Sequence, residues 1–371
     1  MKTFKFKLYR TDKNAKLHKQ INCAGLTYNH CIALHKRYYR LFGKYLLKGK
    51  LQKHLTKLKK ISKYSYLKSF GSQAVQDVTD RIDRAYNLFF KNIKRKIRSS
   101  PPKFKKVKNY KSFTLKQTGW KFDEDNHILQ INGQNFKYFQ SRKISGKIKT
   151  ITIKRDSLGD FYIFVVTDAK NFKAETRTGK RVGFDFGLKK FLTASDGEDI
   201  ESPLFFAKNA KLIAKANKNL SKKVEGSKNR RRSKLALARL HRKILNKRKD
   251  FHFKLARKLC LKYEKICIED LNMKAMQRVW GRKISDLAFS EFVKILKHQA
   301  EKFNVAVVEI DRFFASSQIC SHCGEKNPEV KDLKIRSWTC PNCGAKHDRD
   351  LNAAKNILKF GLGQQPLKET E

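Results

Sequence analysis

Two Cys-x-x-Cys pairs, Cys320/Cys323 and Cys340/Cys343, stand sixteen residues apart near the C-terminus, and a glycine follows each pair. Two residues between thiolates let both reach one ion from a single tight turn, and the glycine lets the backbone fold back. Four thiolates fill a tetrahedral Zn²⁺ shell and leave no open position, so the expected site is structural. A redox dithiol needs only one such pair. His322 and His347 lie close by, but a complete thiolate set gives them no obligatory ligand role.

Three carboxylates form a second constellation: Asp185, Glu269 and Asp350. Asp185 and Glu269 sit in apolar, strand-like runs, where a carboxylate needs a reason, and Asp350 opens a helical run. Two adjacent strands and a helix start can bring such groups together. Three carboxylates then hold divalent metal, and two Mg²⁺ ions activate a water and stabilise the leaving oxygen in phosphodiester cleavage. Each acid also has a plainer reading. Asp185 can end a strand at a turn, Glu269 can be a solvated edge beside Asp270, and Asp350 can be a helix N-cap.

The chain around these residues is unusually basic. Its 371 residues hold 86 Lys and Arg against 33 Asp and Glu, a formal net charge of +53. Such a field calls for a polyanionic partner, and nucleic acid is the first candidate. An anionic membrane surface is the rival, but the chain has no run of about 18 apolar residues. Met1–Leu8 alternates in charge and does not read as a secretory signal. With 27 Phe and 12 Tyr the protein has material for folded cores. Cys23, Cys31, Cys260 and Cys267 fall in apolar patterns and read as small buried hydrophobes.

The elements that must position these groups follow from periodicity. Phe4, Phe6 and Leu8 alternate with polar residues, a half-buried strand. From Asn14 to Lys48 and from Ser72 to Lys96 the apolar residues recur at helical spacing, which predicts three or four helices with Ser72 as an N-cap. Pro101-Pro102 opens a β-rich stretch. Its hairpin signals are Asn132-Gly133 and Leu158-Gly159-Asp160, and a small β-barrel that the first strand rejoins suits them. Strands are expected at Val182–Gly187, Phe191–Gly197, Ile266–Leu271 and Val305–Ile310, with a helix at Phe289–Phe303 and a last one from Leu351 to Phe360. Between Lys208 and Lys258 twenty Lys or Arg face only Glu225 and Asp250. Two long basic helices joined near Gly226-Ser227, contacting a nucleic-acid backbone, account for that imbalance. Gln364–Glu371 reads as a frayed tail.

Gly183-Phe184-Asp185-Phe186-Gly187, Ile268-Glu269-Asp270-Leu271-Asn272, Ser316 to Gly324, and Cys340 to Ala354 in this order and spacing resemble the TnpB (OrfB) family of insertion sequences, which shares ancestry with type V CRISPR effectors. The likeness covers essentially the whole chain. It implies an α+β multidomain protein: an N-terminal small β-barrel (wedge) with a helical insertion, then an RNase H-like (RuvC) domain interrupted by a zinc ribbon. The implied divisions are 1–12 as the first wedge strand, 13–100 as the helical recognition insertion and 101–180 as the rest of the wedge. They continue with 181–317 as the nuclease domain with a basic insertion at 205–260, 318–346 as the ribbon, and 347–371 as the end of the nuclease domain and tail.

Carried over onto the matching positions, Asp185, Glu269 and Asp350 are the catalytic, Mg²⁺-holding acids (Mn²⁺ being the alternative ion), and Cys320, Cys323, Cys340 and Cys343 hold structural Zn²⁺. Asp350 is chosen over Asp348 because it fits the family's Asp-x-Asn-Ala-Ala wording. The resemblance further implies an RNA-guided DNA endonuclease of a prokaryotic mobile element, working in the cytoplasm. Its partners are a guide RNA and double-stranded target DNA with a short flanking motif. Two other functions fit the same residues: a transposase performing strand transfer, and a non-catalytic nucleic-acid-binding regulator.

Overall fold

The computed structural model describes residues 1–169, 178–271, 278, 281 and 284–364. Asn272 of the second acidic motif, residues 170–177 and tail residues 365–371 lie outside the described residues. The chain divides into two compact units, Met1–Asn171 and Phe172–Glu371.

In the first unit β1 (Lys2–Leu8) leads into α1 (Asn14–Phe42), α2 (Lys48–Leu58), α3 (Tyr66–Phe70) and α4 (Ser72–Lys94). Six short strands follow: β2 (Ser112–Leu115), β3 (Trp120–Asp123), β4 (Ile128–Ile131), β5 (Gln134–Phe139), β6 (Ile148–Arg155) and β7 (Phe161–Thr167). They form a nearly closed, antiparallel seven-stranded barrel sheet of order β2-β6-β7-β1-β5-β4-β3, so the first strand does rejoin the later ones. Its alternation decides the register: Phe4 and Phe6 lie opposite Val165 and Ile163, and all four point into the core. Burying each such phenylalanine stabilises the fold by roughly 1.5–3 kcal/mol. Asn132 and Gly133 take positive φ (47° and 77°), the left-handed pair that a two-residue hairpin turn requires.

The start of α4 differs from the sequence expectation. Gly71, not Ser72, is the N-cap, and Ser72 is already helical. The chain turns sharply out of α3 at φ 89°, a conformation that glycine adopts without strain. One turn along, Asp77 is buried and ties the helix to the sheet. Its carboxylate accepts the Thr114 amide (2.9 Å) and pairs with Arg81 (2.9 Å), which itself donates to the Ser112 carbonyl.

In the second unit β8 (Arg181–Phe186), β9 (Lys190–Ala194) and β10 (Asp199–Glu201) precede three helices, α5 (Phe205–Lys208), α6 (Ala210–Ser221) and α7 (Lys228–Lys262). Then come β11 (Lys265–Glu269), α8 (Phe289–Phe303), β12 (Ala306–Ile310), β13 (Ser337–Thr339), β14 (Lys346–Asp348) and α9 (Arg349–Gly361). The five-stranded sheet has the order β10-β9-β8-β11-β12, antiparallel from β10 to β8 and parallel from β8 to β12. α6 and α7 are the two expected basic helices. Ser227 caps α7 by accepting the Arg230 amide, and the first buried residue of this 35-residue helix is Ile244. Before it the helix has exposed and half-buried residues only, with Arg230 donating to the Leu220 and Lys223 carbonyls, while Leu255, Ala256 and Leu259 join the core with Phe289 and Phe292 of α8. Among the described residues no helix is long and apolar enough to cross a membrane.

Candidate nuclease site and metal centre

Strand register puts two of the three acids side by side. Phe184 on β8 lies opposite Ile268 on β11, so Asp185 and Glu269 occupy the next rung of two parallel strands. Neighbouring strands run about 4.8 Å apart, and residues on one rung face the same side. That side also carries Gly183 and Cys267, and α9 lies across it. A Cβ on Gly183 would stand 2.2 Å from the Ala354 carbonyl oxygen, and one on Gly361 would stand 2.4 Å from Cys267 Sγ. Glycine at one position on the strand and one on the helix thus permits a close approach. Asp350 sits in the first turn of α9. The N-cap is Asp348, whose Oδ1 accepts the Leu351 amide at 2.9 Å. Capping is therefore not the task of Asp350.

Electrostatics register the convergence. Burial raises the Asp185 pKa well above the ordinary carboxylate value, and the Glu269 and Asp350 charges push it further; the Phe186 amide and Arg349 oppose them. Burial also raises the Glu269 pKa, against a short hydrogen bond (2.5 Å) donated by Ser316 Oγ to Glu269 Oε1. Asp350 Oδ1 lies 3.5 Å from Arg336 Nη1. The acids stand further apart than the cysteines do. Among the described residues, only the four cysteines form a set of three or more ligand-type side chains whose ligating atoms all lie within 4.8 Å.

Those cysteines sit on two matching turns. The Gly324 amide donates to the Cys320 carbonyl (2.9 Å) and the Gly344 amide to the Cys340 carbonyl (3.0 Å), each glycine at positive φ (81° and 69°). Cys320 and Cys343 Sγ are 3.7 Å apart, and Cys323 and Cys340 Sγ are 3.6 Å apart. A tetrahedron with metal–sulfur bonds of about 2.3 Å has edges of ~3.8 Å, so the donor set fits a tetrahedral metal. His347 Nε2 lies 3.0 Å from Cys320 Sγ, within hydrogen-bond reach of a sulfur whose four-thiolate set is already complete. Burial alone would raise the Cys323 thiol, but the Glu325 amide and the neighbouring thiols bring it down to about 7.

Several side chains without an assigned role in the sequence join the two sites. Asn356 Nδ2 donates to the carbonyls of Ser316 (2.8 Å) and Ile319 (2.6 Å). Asn352 donates to the Ile319 carbonyl (2.7 Å) and accepts the Ser321 amide (2.9 Å). Both are buried on α9. Arg349, also buried, donates to the Asp332 and Ile335 carbonyls. One helix thus carries Asp350, grips the root of the cysteine turns, and holds the segment whose Ser316 touches Glu269. Ser316, Arg349 and Asn352 lie inside motif wording and Asn356 just beyond it, and that is the sequence signal; their partners are long-range.

These features define a class: a mixed α/β protein with an antiparallel barrel unit, an acid-bearing mixed sheet and a four-cysteine ribbon in one chain. Comparison with known proteins agrees. Residues 163–280 match the OrfB family of IS605 elements, described as "Probable transposase", and residues 289–357 match the Cas12f1-like TNB domain. A Streptomyces pristinaespiralis protein named "Putative RNA-guided DNA endonuclease" is 30% identical over 97% of this chain and 89% of its own length. The Escherichia coli InsQ protein, named in the same words, is 27% identical over 97% of this chain and 92% of its own. Among solved structures, the Cas12f1 chain of a Cas12f1-sgRNA-target DNA complex superposes with a TM-score of 0.56 at 16% identity, covering 94% of this chain and 83% of that one. The chain belongs to the TnpB (OrfB) family.

Proposed function

We propose that the protein is an RNA-guided DNA endonuclease of an insertion sequence, and that its second unit is an RuvC-type, RNase H-like nuclease. The observation that carries this reading is the Asp185 carboxyl, half-buried on a central strand, its pKa raised by desolvation and further by two acids on β11 and α9. Like charges are gathered in this way where a cation is to be held. Asp185, Glu269 and Asp350 would hold Mg²⁺, or Mn²⁺ in its place, and the bound metal supplies an activated water and a stabilised leaving oxygen. Ser316 fixes the Glu269 carboxylate, and α9 keeps Asp350 in register with the sheet. The four cysteines would hold Zn²⁺ as a structural staple.

The division into a wedge (1–12 and 101–180), a helical recognition insertion (13–100), a nuclease domain (181–317 and 347–371) and a ribbon (318–346) belongs to the same reading. So do the partners. Pairing of a guide RNA to target DNA would supply sequence specificity while the protein reads backbone shape and a short flanking motif. The basic N-terminal half of α7 suits backbone contact. Asp185→Ala tests the assignment: DNA cleavage should vanish while guide RNA binding stays. Loss of RNA binding in that variant would remove Asp185 from the metal-holding set. Sequencing RNA that co-purifies with protein expressed beside its native flanking DNA tests guidance, where one discrete scaffold with a variable end is expected. Joined DNA ends without any RNA requirement would instead establish strand transfer.

A further inference from the structure

The first unit carries a pocket that phosphodiester chemistry does not use. It lies between the C-terminal halves of α1 and α4, with a volume of about 430 Å³, inside the range of small-molecule sites. Its walls are rings. His35 stacks on Tyr45 (centroids 5.2 Å apart, 26° between planes) and lies 4.7 Å from Tyr86, and Phe90 meets Tyr45 edge-on at 5.6 Å. Phe90 is 38% exposed and Tyr39, also at the pocket, 66%. The rim is cationic. Lys36 and Lys44 line it, no acid does among the described residues, and five of the eight residues from Lys91 to Arg98 at the end of α4 are Lys or Arg.

His35 bears on the kind of occupant the pocket suits. It is 4% exposed, yet its Nε2 has no hydrogen-bond partner among the described residues. Buried polar atoms are normally paired, so this one calls for a donor or an acceptor from the occupant. Burial pushes the ring down to about 4, against the opposing charge of Asp83, so it stays neutral. Either tautomer is then open to it. An apolar peptide side chain would fill the pocket and leave Nε2 unpaired, and the cationic rim would have no counterpart.

We propose that this pocket takes one unstacked nucleobase of a bound strand, with its face on the exposed Phe90 ring, its edge on His35 Nε2, and its flanking phosphates at Lys36 and Lys44. The inference rests on the nucleic-acid reading above. Stacking on aromatic faces tolerates any base, and the base can come from RNA or DNA.

Photocrosslinking of the full-length protein to short single-stranded oligonucleotides tests this. The RNA arm carries thiouracil and the DNA arm thiothymine, and adducts are mapped by mass spectrometry. Adducts on peptides containing His35–Tyr45 or Tyr86–Ile93 are expected, and the productive arm identifies the strand. Phe90→Ala should weaken binding about tenfold and leave the salt dependence unchanged, since no phosphate contact is lost. Ile93→Trp, which fills the mouth and removes nothing, should suppress the same adducts and carries the test if Phe90→Ala does not fold. Adducts confined to α6 and α7, with both variants binding like wild type, would overturn the proposal. So would a switch from dimer to monomer on sedimentation of either variant without pocket adducts, which would assign the pocket to a second copy of the chain. No oligonucleotide binding at all would instead refute the nucleic-acid reading itself.

Discussion

Gly183→Ala is the substitution on which the geometry of the acid site bears most directly. A Cβ there would stand 2.2 Å from the Ala354 carbonyl oxygen and 2.6 Å from the Leu358 amide nitrogen. Both are backbone atoms of α9, so no side chain can swing aside. Restoring an ordinary contact of ~3.5 Å means that strand and helix separate by roughly 1.3 Å. Asp185 lies two residues along that strand, and Asp350 lies one turn before Ala354 on that helix. One methyl group therefore moves one acid away from another. Overpacking of this kind costs roughly 1–3 kcal/mol of stability, and a misplacement of about 1 Å at reacting groups costs on the order of 100-fold in rate. Single-turnover cleavage of target DNA by the protein with its guide RNA should fall by that factor, with a lowered melting temperature. Gly49→Ala is the control, because nothing lies within 4 Å of its Cβ and it stands inside α2. Wild-type cleavage and melting in Gly183→Ala would refute the idea that this close approach sets the separation of the acids.

Three further outcomes follow from the same structure. Asp185→Asn should abolish cleavage yet raise the melting temperature in chelator at neutral pH. The folded-state pKa of Asp185 is raised, so its contribution to stability is full below the ordinary carboxylate pKa and is lost as pH rises through the folded value; melting curves across that range would show a narrowing gap on acidification, and an unchanged gap would count against it. Ser316→Ala should raise the Mg²⁺ requirement roughly 10- to 100-fold while the rate at saturating metal recovers, since the hydroxyl donates to Glu269 and acts through it; calorimetric Mg²⁺ affinity equal to wild type would remove that role. Stripping metal with a chelator, or Cys340→Ser, should unfold the ribbon, whose small core is Cys320, Val330, Trp338 and Cys340. The emission of Trp338 should then shift to the red while the far-ultraviolet signal of the remaining helices largely persists.

The periodic parts of this chain were legible in its sequence and the long-range parts were not, for a physical reason. Phe4, Phe6 and Leu8 announce a half-buried strand by alternation alone, and the spacing of Phe289 to Phe303 announces a helix, because burial of one face acts residue by residue. The cysteine turns were legible because all the information lies within five residues, thiolate to glycine. Ser72 reads as an N-cap by residue type, but the helix start is set by the turn at Gly71, which depends on where α3 ends. Asp350 could not be told from a cap until Asp348 was seen to accept the Leu351 amide. Nor does any local pattern tell that Asn356 holds the Ser316 carbonyl forty residues away, or that His35 has a nitrogen with no partner among the described residues, set among rings from another helix and a loop. Such residues cost stability or packing freedom wherever they stand, so their persistence in a core is itself informative. α9 makes the point most strongly. Its interior Asn352 and Asn356 are poor helix formers, and in their place alanines or leucines would make a better helix. They are accounted for only when the helix is seen to do three jobs at once: presenting a carboxylate to Asp185, binding the root of the cysteine turns, and anchoring the serine that orients Glu269. A helix chosen for stability alone would carry none of them.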